Sequence, residues 1–209
     1  MARALRLVMF DCDGVLFHSE RANVEFYNAC LRAMGEAPLS GELERFCTYA
    51  SARQLFEACF AGDGARFERA LAIAHEISYE PFYQYMVPVA GLFDTLERLA
   101  GSYTLAMATN RSRTAAELVP RFGLDRHLQF VSAVGPGVRP KPEPDILMRC
   151  LDQFGVAAEE AVSVGDAETD REAARRAGTH FVGFGDRIQD GPRVQEFSAI
   201  PDAFPAHGR

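Results

Sequence analysis

Five short apolar runs, at 5–10, 103–109, 128–134, 161–165 and 180–184, alternate with segments of helical periodicity. Runs of this length without polar alternation read as strands buried on both faces, the pattern of a parallel sheet covered by helices. The helical segments keep their apolar residues on one side. Leu92, Phe93, Leu96 and Leu99 do so before Gly101, and Ile146, Leu147, Cys150, Leu151 and Phe154 before Gly155. Pro144 suits a first helical turn, and 172–177 end at Gly178, a left-handed helix stop. Strand and helix in repetition predict an α/β fold with a doubly wound, mainly parallel, Rossmann-like sheet and right-handed crossovers.

One segment breaks the alternation. Between His18 and Pro88 no convincing strand pattern occurs. Val24, Tyr27, Leu31 and Met34 mark one helix there, Phe67, Ala70, Leu71, Ala74 and Ile77 another, and shorter helices fill 41–60. The expected organisation is a core of 1–17 with 89–209, and an α-helical cap of 18–88 inserted after the first strand. A helical insertion behind an acidic strand tip is a candidate lid. The linkers fall at 17–19 and 87–91, and the polar tail from Gly185 is expected to pack loosely.

The formal charge of −7 and the lack of a lysine-rich stripe argue against general nucleic-acid binding. Five cysteines without zinc-type pairing read as reduced thiols of a cytoplasmic protein. The first apolar run stops at Asp11, too short for a signal peptide, and no stretch is long enough to span a bilayer. A small phosphorylated metabolite stays compatible with the acidic balance, since local charge governs its binding. A monomer or homodimer is expected.

The chemistry gathers at the strand ends, where open parallel sheets bind their ligands. Asp11-Cys12-Asp13-Gly14 follows the first run, and extended chain puts both carboxylates on one side. Two like charges so close are costly unless a cation lies between them or one takes a proton. A calcium loop starting at Asp11 fails, because Ala22 stands where a glutamate is needed. Thr109-Asn110 ends the next run, ahead of a helix with Ser112 near its start; hydroxyls and N–H groups there suit phosphate oxygens, although Ser and Asn also cap helices for structural reasons. Asp166 and Asp170, spaced i, i+4, could share a face at a helix start, where acids also favour the dipole. Lys141, within Arg-Pro-Lys-Pro-Glu-Pro, is the only lysine of the chain. Arginine serves wherever else a fixed positive charge is needed, so Lys141 marks a site that wants a compact ammonium.

In this order and spacing the motifs resemble the haloacid dehalogenase superfamily, phosphatase branch with a small helical cap, similar to phosphoglycolate phosphatases. Asp11 to Leu16 looks like its first motif, Thr109-Asn110 its second, Lys141-Pro142 its third, and 165–170 its fourth. The resemblance implies a hydrolase of phosphoric monoesters acting through an aspartyl-phosphate. It implies Asp11 as nucleophile and Asp13 as general acid and base. Mg²⁺ would be held by Asp11, the Asp13 backbone carbonyl and Asp166, with Asp170 acting through a water or orienting the others. Thr109, the Asn110 N–H and Lys141 would bind the phosphoryl group.

Rival readings are a sugar phosphomutase of the same branch and a non-enzymatic phosphate-binding protein, which would be expected to lose Asp11 or Asp13. Dehalogenation leaves Asp13 without a purpose, and phosphonate cleavage needs a cap lysine that this segment lacks. His18 stands where relatives often carry an acid and reads as a tolerated hinge residue. Residues 48–53, from Thr48 to Arg53, fall where relatives place a specificity loop. Arg45 and Arg53 are candidates for a second anionic group, though such arginines are more often solvated.

Overall fold

All four residues of the first strand, β1 (Leu7–Phe10), are buried, as a strand with neighbours on both edges and helices on both faces requires. The computed structural model describes residues 4–205. The further strands are β2 (Phe17–His18), β3 (Val87–Pro88), β4 (Thr104–Thr109), β5 (Phe130–Ala133), β6 (Ala161–Gly165), β7 (His180–Phe184) and β8 (Arg193–Val194). The helices are α1 (Glu20–Met34), α2 (Gly41–Phe46), α3 (Ala52–Cys59), α4 (Gly64–Glu76), α5 (Leu92–Ala100), α6 (Thr114–Arg121), α7 (Asp145–Phe154) and α8 (Glu168–Ala177). Among the described residues, no helix is long and apolar enough to cross a membrane.

Six strands form a sheet in the order β5-β4-β1-β6-β7-β8, and each neighbouring pair is parallel. β1 pairs Phe10 with Met107 of β4 on one edge and with Val164 of β6 on the other. From β1 the chain winds outward through β4 and β5, then returns to β6 and winds the other way. The strand order therefore reverses beside β1, the place where such sheets bind ligands.

Leu7 and Met9 pack with Ile146, Leu147 and Cys150 of α7 and with Ala173 and Ala174 of α8. The alternate β1 residue Phe10 meets Phe197, ring centroids 5.7 Å apart. That contact corrects the expectation of a loose tail. Phe197 and Ile200 are fully buried, Phe197 also meets Phe184 at 6.0 Å, and Phe204 packs on Tyr103. Burying one such aromatic contributes about 1.5–3 kcal/mol. A polar average over the tail hides three apolar anchors. β8 also escapes the sequence reading, because two residues beginning with Arg193 form no apolar run.

The chain divides into two compact units, 1–16 with 88–209, and 17–87. The second unit holds α1 to α4 around an aromatic cluster. Phe26 lies within 5.0–5.6 Å of the rings of Tyr27, Tyr79 and Phe82. The Tyr79 hydroxyl donates to Asn23 Oδ1 at 2.8 Å, which satisfies both polar groups inside the cluster. Two helix faces differ from expectation. α1 buries Asn23, Phe26, Tyr27, Cys30 and Leu31, so its inner face is turned away from Val24 and Met34. α5 buries Leu92, Thr95, Leu96 and Leu99, while Phe93 stays 39% exposed, about 100° round from Leu92.

Candidate active site

Asp11 is the first residue beyond β1, and its N–H still donates to the Val164 carbonyl of β6 at 2.9 Å. The sheet ladder thus fixes its backbone. Thr109 closes β4, Asp166 follows β6, and Lys141 lies in the turn between β5 and α7. Parallel neighbours end on the same side of the sheet, so these positions converge although up to 155 residues separate them.

Lys141 Nζ donates to Asp11 Oδ1 at 2.8 Å and to Asp170 Oδ1 at 2.5 Å. Only 2% of Lys141 is exposed. Burial pushes its pKa down, but Asp11 and Asp170 outweigh this and hold it above the ordinary lysine value. Asp170 Oδ2 accepts the Ala167 N–H at 3.1 Å. Asp170 therefore both caps the first turn of α8 and anchors the lysine.

The Lys141 turn is tied down from both sides. Asn110 Oδ1 accepts the Lys141 N–H at 2.7 Å, and Asn110 Nδ2 donates to the Lys141 carbonyl at 3.4 Å. From the sequence Asn110 offers phosphate only its main-chain N–H; in the fold its side chain positions the lysine. Arg139 forks onto Asp145 at 2.9 and 2.7 Å, and Arg176 reaches Glu143 at 2.7 Å.

Asp13 has a partner that sequence reasoning missed. Arg111 Nε donates to its Oδ2 at 2.8 Å and Arg111 Nη2 to its Oδ1 at 2.6 Å. The two side chains are only 6% and 12% exposed. Arg187 is the other missed residue. Its Nη1 lies 3.0 Å from Asp166 Oδ2. The only sequence signal for Arg111 is its place two residues beyond Thr109; Arg187 carries none.

Four carboxylates thus face three cations, of which Lys141 and Arg111 are buried and Arg187 is partly exposed. Asp166 Oδ1 is buried without a hydrogen-bond partner. Burial, with Asp170 and Asp11 nearby, raises the Asp166 pKa to about 8 against the pull of Arg187. Burial likewise lifts Asp11 above the usual carboxylate range, with Lys141 opposing. Carboxylate oxygens of Asp11, Asp166 and Asp170 lie within 4.8 Å of one another. This hard, acidic oxygen set with an orphaned acceptor fits Mg²⁺. Gly14 makes room for it: a Cβ there would run into Asp166 Oδ2, and its φ of +80° suits glycine.

The remaining candidates lie in the 17–87 unit. Ser51 caps α3, accepting the Gln54 N–H at 3.3 Å while Gln54 Oε1 accepts the Ser51 N–H at 2.9 Å. The 48–53 stretch is thus in part a helix start. Arg53 stands over the Phe67 ring at 5.0 Å and pairs with Glu57 at 3.7 Å. Arg45 lines a surface cavity of about 420 Å³ with Glu42, Phe46 and Tyr49. His18 is an exposed residue of β2.

Comparison with known proteins agrees with this architecture. Residues 8–184 match the family model of haloacid dehalogenase-like hydrolases. A phosphoglycolate phosphatase of Pseudomonas aeruginosa is 31% identical over 185 residues, covering 84% of this chain and 68% of that protein. A phosphorylated carbohydrates phosphatase of Thermotoga maritima is 28% identical over 204 residues, covering 94% and 93%. A solved hydrolase of the same superfamily from Geobacter sulfurreducens is 31% identical, with a TM-score of 0.73 and 95% of each chain covered. With its strand order, its strand-end acids and its single lysine, this chain belongs to the haloacid dehalogenase-like hydrolases.

Proposed function

We propose that the protein is a Mg²⁺-dependent phosphatase of a small phosphomonoester, similar to phosphoglycolate phosphatases, working through an aspartyl-phosphate. The observation that carries this reading is the buried contact of Lys141 with Asp11 and Asp170, beside the partnerless Asp166 Oδ1. A lysine between two acids is already neutralised, so it is not a spare base. It is a fixed positive charge at the place where a carboxylate nucleophile must approach an anion.

Asp11, Asp166 and the Asp13 carbonyl would hold Mg²⁺, with Asp170 behind them. When bound, the ion neutralises phosphate charge and orients the phosphoryl group. In the first step an Asp11 oxygen bonds to phosphorus and the ester P–O bond breaks. Asp13 gives its proton to the departing alkoxide, so an alcohol leaves. In the second step Asp13 takes a proton from water as that oxygen bonds to phosphorus. The bond from phosphorus to Asp11 breaks, and inorganic phosphate leaves. Thr109 and the Asn110 N–H would bind phosphoryl oxygens. We assign substrate selection to the helical unit 17–87. Five free cysteines fit a reducing cytoplasm.

The test is phosphate release from a panel that includes 2-phosphoglycolate and sugar monophosphates, with Mg²⁺ and with excess EDTA. Metal-dependent release is expected. Isomerised sugar phosphate in place of free phosphate would make the protein a mutase, and no reaction with any ester would remove the enzymatic reading.

A further inference from the structure

We infer that Arg111 is the positioning residue for Asp13: its guanidinium fixes the carboxylate in the orientation from which protons are exchanged with the leaving oxygen and the attacking water. The inference rests on the phosphatase reading above. Two parallel N–H donors meet both Asp13 oxygens, at 2.8 and 2.6 Å. A single hydrogen bond leaves a carboxylate free to rotate about its last torsion, whereas a planar fork on both oxygens fixes that torsion as well.

Arg111 is itself rigidly placed. Its N–H donates to Thr109 Oγ1 at 3.1 Å, and its carbonyl accepts the Val134 N–H at 3.0 Å. The guanidinium therefore ties Asp13, on the loop after β1, to the carboxyl ends of β4 and β5. Each carboxylate oxygen has a second lone pair, so the fork leaves Asp13 able to exchange a proton. The arrangement also separates the tasks of two acids that stand two residues apart. Asp11 meets a compact ammonium on one oxygen, and Asp13 meets a fork across both. A forked carboxylate is held back from acting as a second nucleophile.

The experiment compares Arg111→Met and Arg111→Lys with the wild type on two substrates. p-Nitrophenyl phosphate has a leaving group that needs no proton, and glycerol 2-phosphate has one that does. Loss of Asp13 orientation is expected to lower kcat on glycerol 2-phosphate about 10²-fold or more, within the range that general acid–base groups supply, with KM changed only a few-fold. On p-nitrophenyl phosphate the first turnover is expected to stay fast while later turnovers slow, giving a burst near one equivalent of p-nitrophenol. Arg111→Lys keeps the buried charge and hence the fold, but reaches one oxygen at a time, so it shows the same pattern more weakly. If Arg111→Met does not fold, this variant decides alone. In an Asp13→Asn background, Arg111→Met is expected to cost nothing further, because the two act as one unit. Wild-type kcat in both Arg111 variants, losses that add to those of Asp13→Asn, or equal losses on both substrates without a burst would overturn the assignment. A wild type inactive on every ester would remove the function itself and the assignment with it, an outcome separable from an active wild type indifferent to Arg111.

Discussion

Lys141 Nζ lies 2.8 Å from Asp11 Oδ1, across 130 residues of chain, and both residues are buried. A buried pair of this kind contributes little net stability when whole, but losing one partner typically costs about 3–5 kcal/mol. Lys141 has two such partners, so its removal strands both Asp11 and Asp170.

Lys141→Arg is therefore expected to be nearly as damaging as Lys141→Ala. Nζ reaches two carboxylates at 2.8 and 2.5 Å from a turn that Asn110 holds by its backbone. A guanidinium is wider and flat, so it displaces Asp11 or Asp170, and a shift of about 1 Å can cost on the order of 10²-fold in rate. The measurement is kcat/KM on the best ester found. Most of the wild-type value surviving in a folded Lys141→Arg would reduce the single lysine to a compositional accident.

How far such contacts can be read in advance depends on where they come from. Asp11, Thr109 and Asp166 are legible because each stands at the end of an apolar run, and parallel strands end on one side. Lys141 is legible through composition alone. The Arg111 fork is not, since it depends on β4 being the neighbour of β1, an order that local periodicity does not carry. The same limit hides the tail: Phe197 and Ile200 are single apolar residues in a polar stretch, and only the open face of the sheet gives them a place. Phe93 fails for the opposite reason. Its apolarity enrols it in the α5 face, while the 92, 95, 96, 99 spacing selects Thr95.

Asp11→Asn is expected to abolish turnover, since an amide is a poor nucleophile. Lys141 would keep Asp170 as a partner, so the fold should survive. Phosphate release and a thermal melt of the same sample check both parts. Undiminished turnover would exclude the covalent route.

Without metal, stability is expected to fall as pH rises from about 5 to 8. Asp166 has a folded-state pKa raised to about 8 by burial and its acidic neighbours, against an ordinary value of 3.8. Between those values the folded protein holds a proton that the unfolded chain has released, so raising the pH favours unfolding. Asp11 shifts in the same direction. Asp145 and Glu172, both lowered to about 2, act in the opposite sense, but only below the window. Lys141, raised above 10.5, acts only above it. Calorimetry in EDTA at a series of pH values is the check, with Asp166→Asn expected to flatten the slope. An unchanged slope in that variant would show that Asp166 does not carry the effect.

Gly14→Ala is expected to damage metal binding more than its backbone strain alone explains. Gly14 has φ +80°, and a Cβ there would meet the Oδ2 and Cγ atoms of Asp166. Gly123→Ala is the matched control: φ is +70°, but nothing lies within 4 Å of the added Cβ. A left-handed non-glycine residue costs about 1–3 kcal/mol, so both variants should lose stability on that scale. Only Gly14→Ala should also push Asp166 out of place, disturbing its contact with Arg187 and its carboxylate neighbours. Thermal melts and Mg²⁺ titration of both variants separate the two effects. Weakened Mg²⁺ binding confined to Gly14→Ala is the expected outcome, and equal binding in both variants would show that the metal does not depend on the position of Asp166.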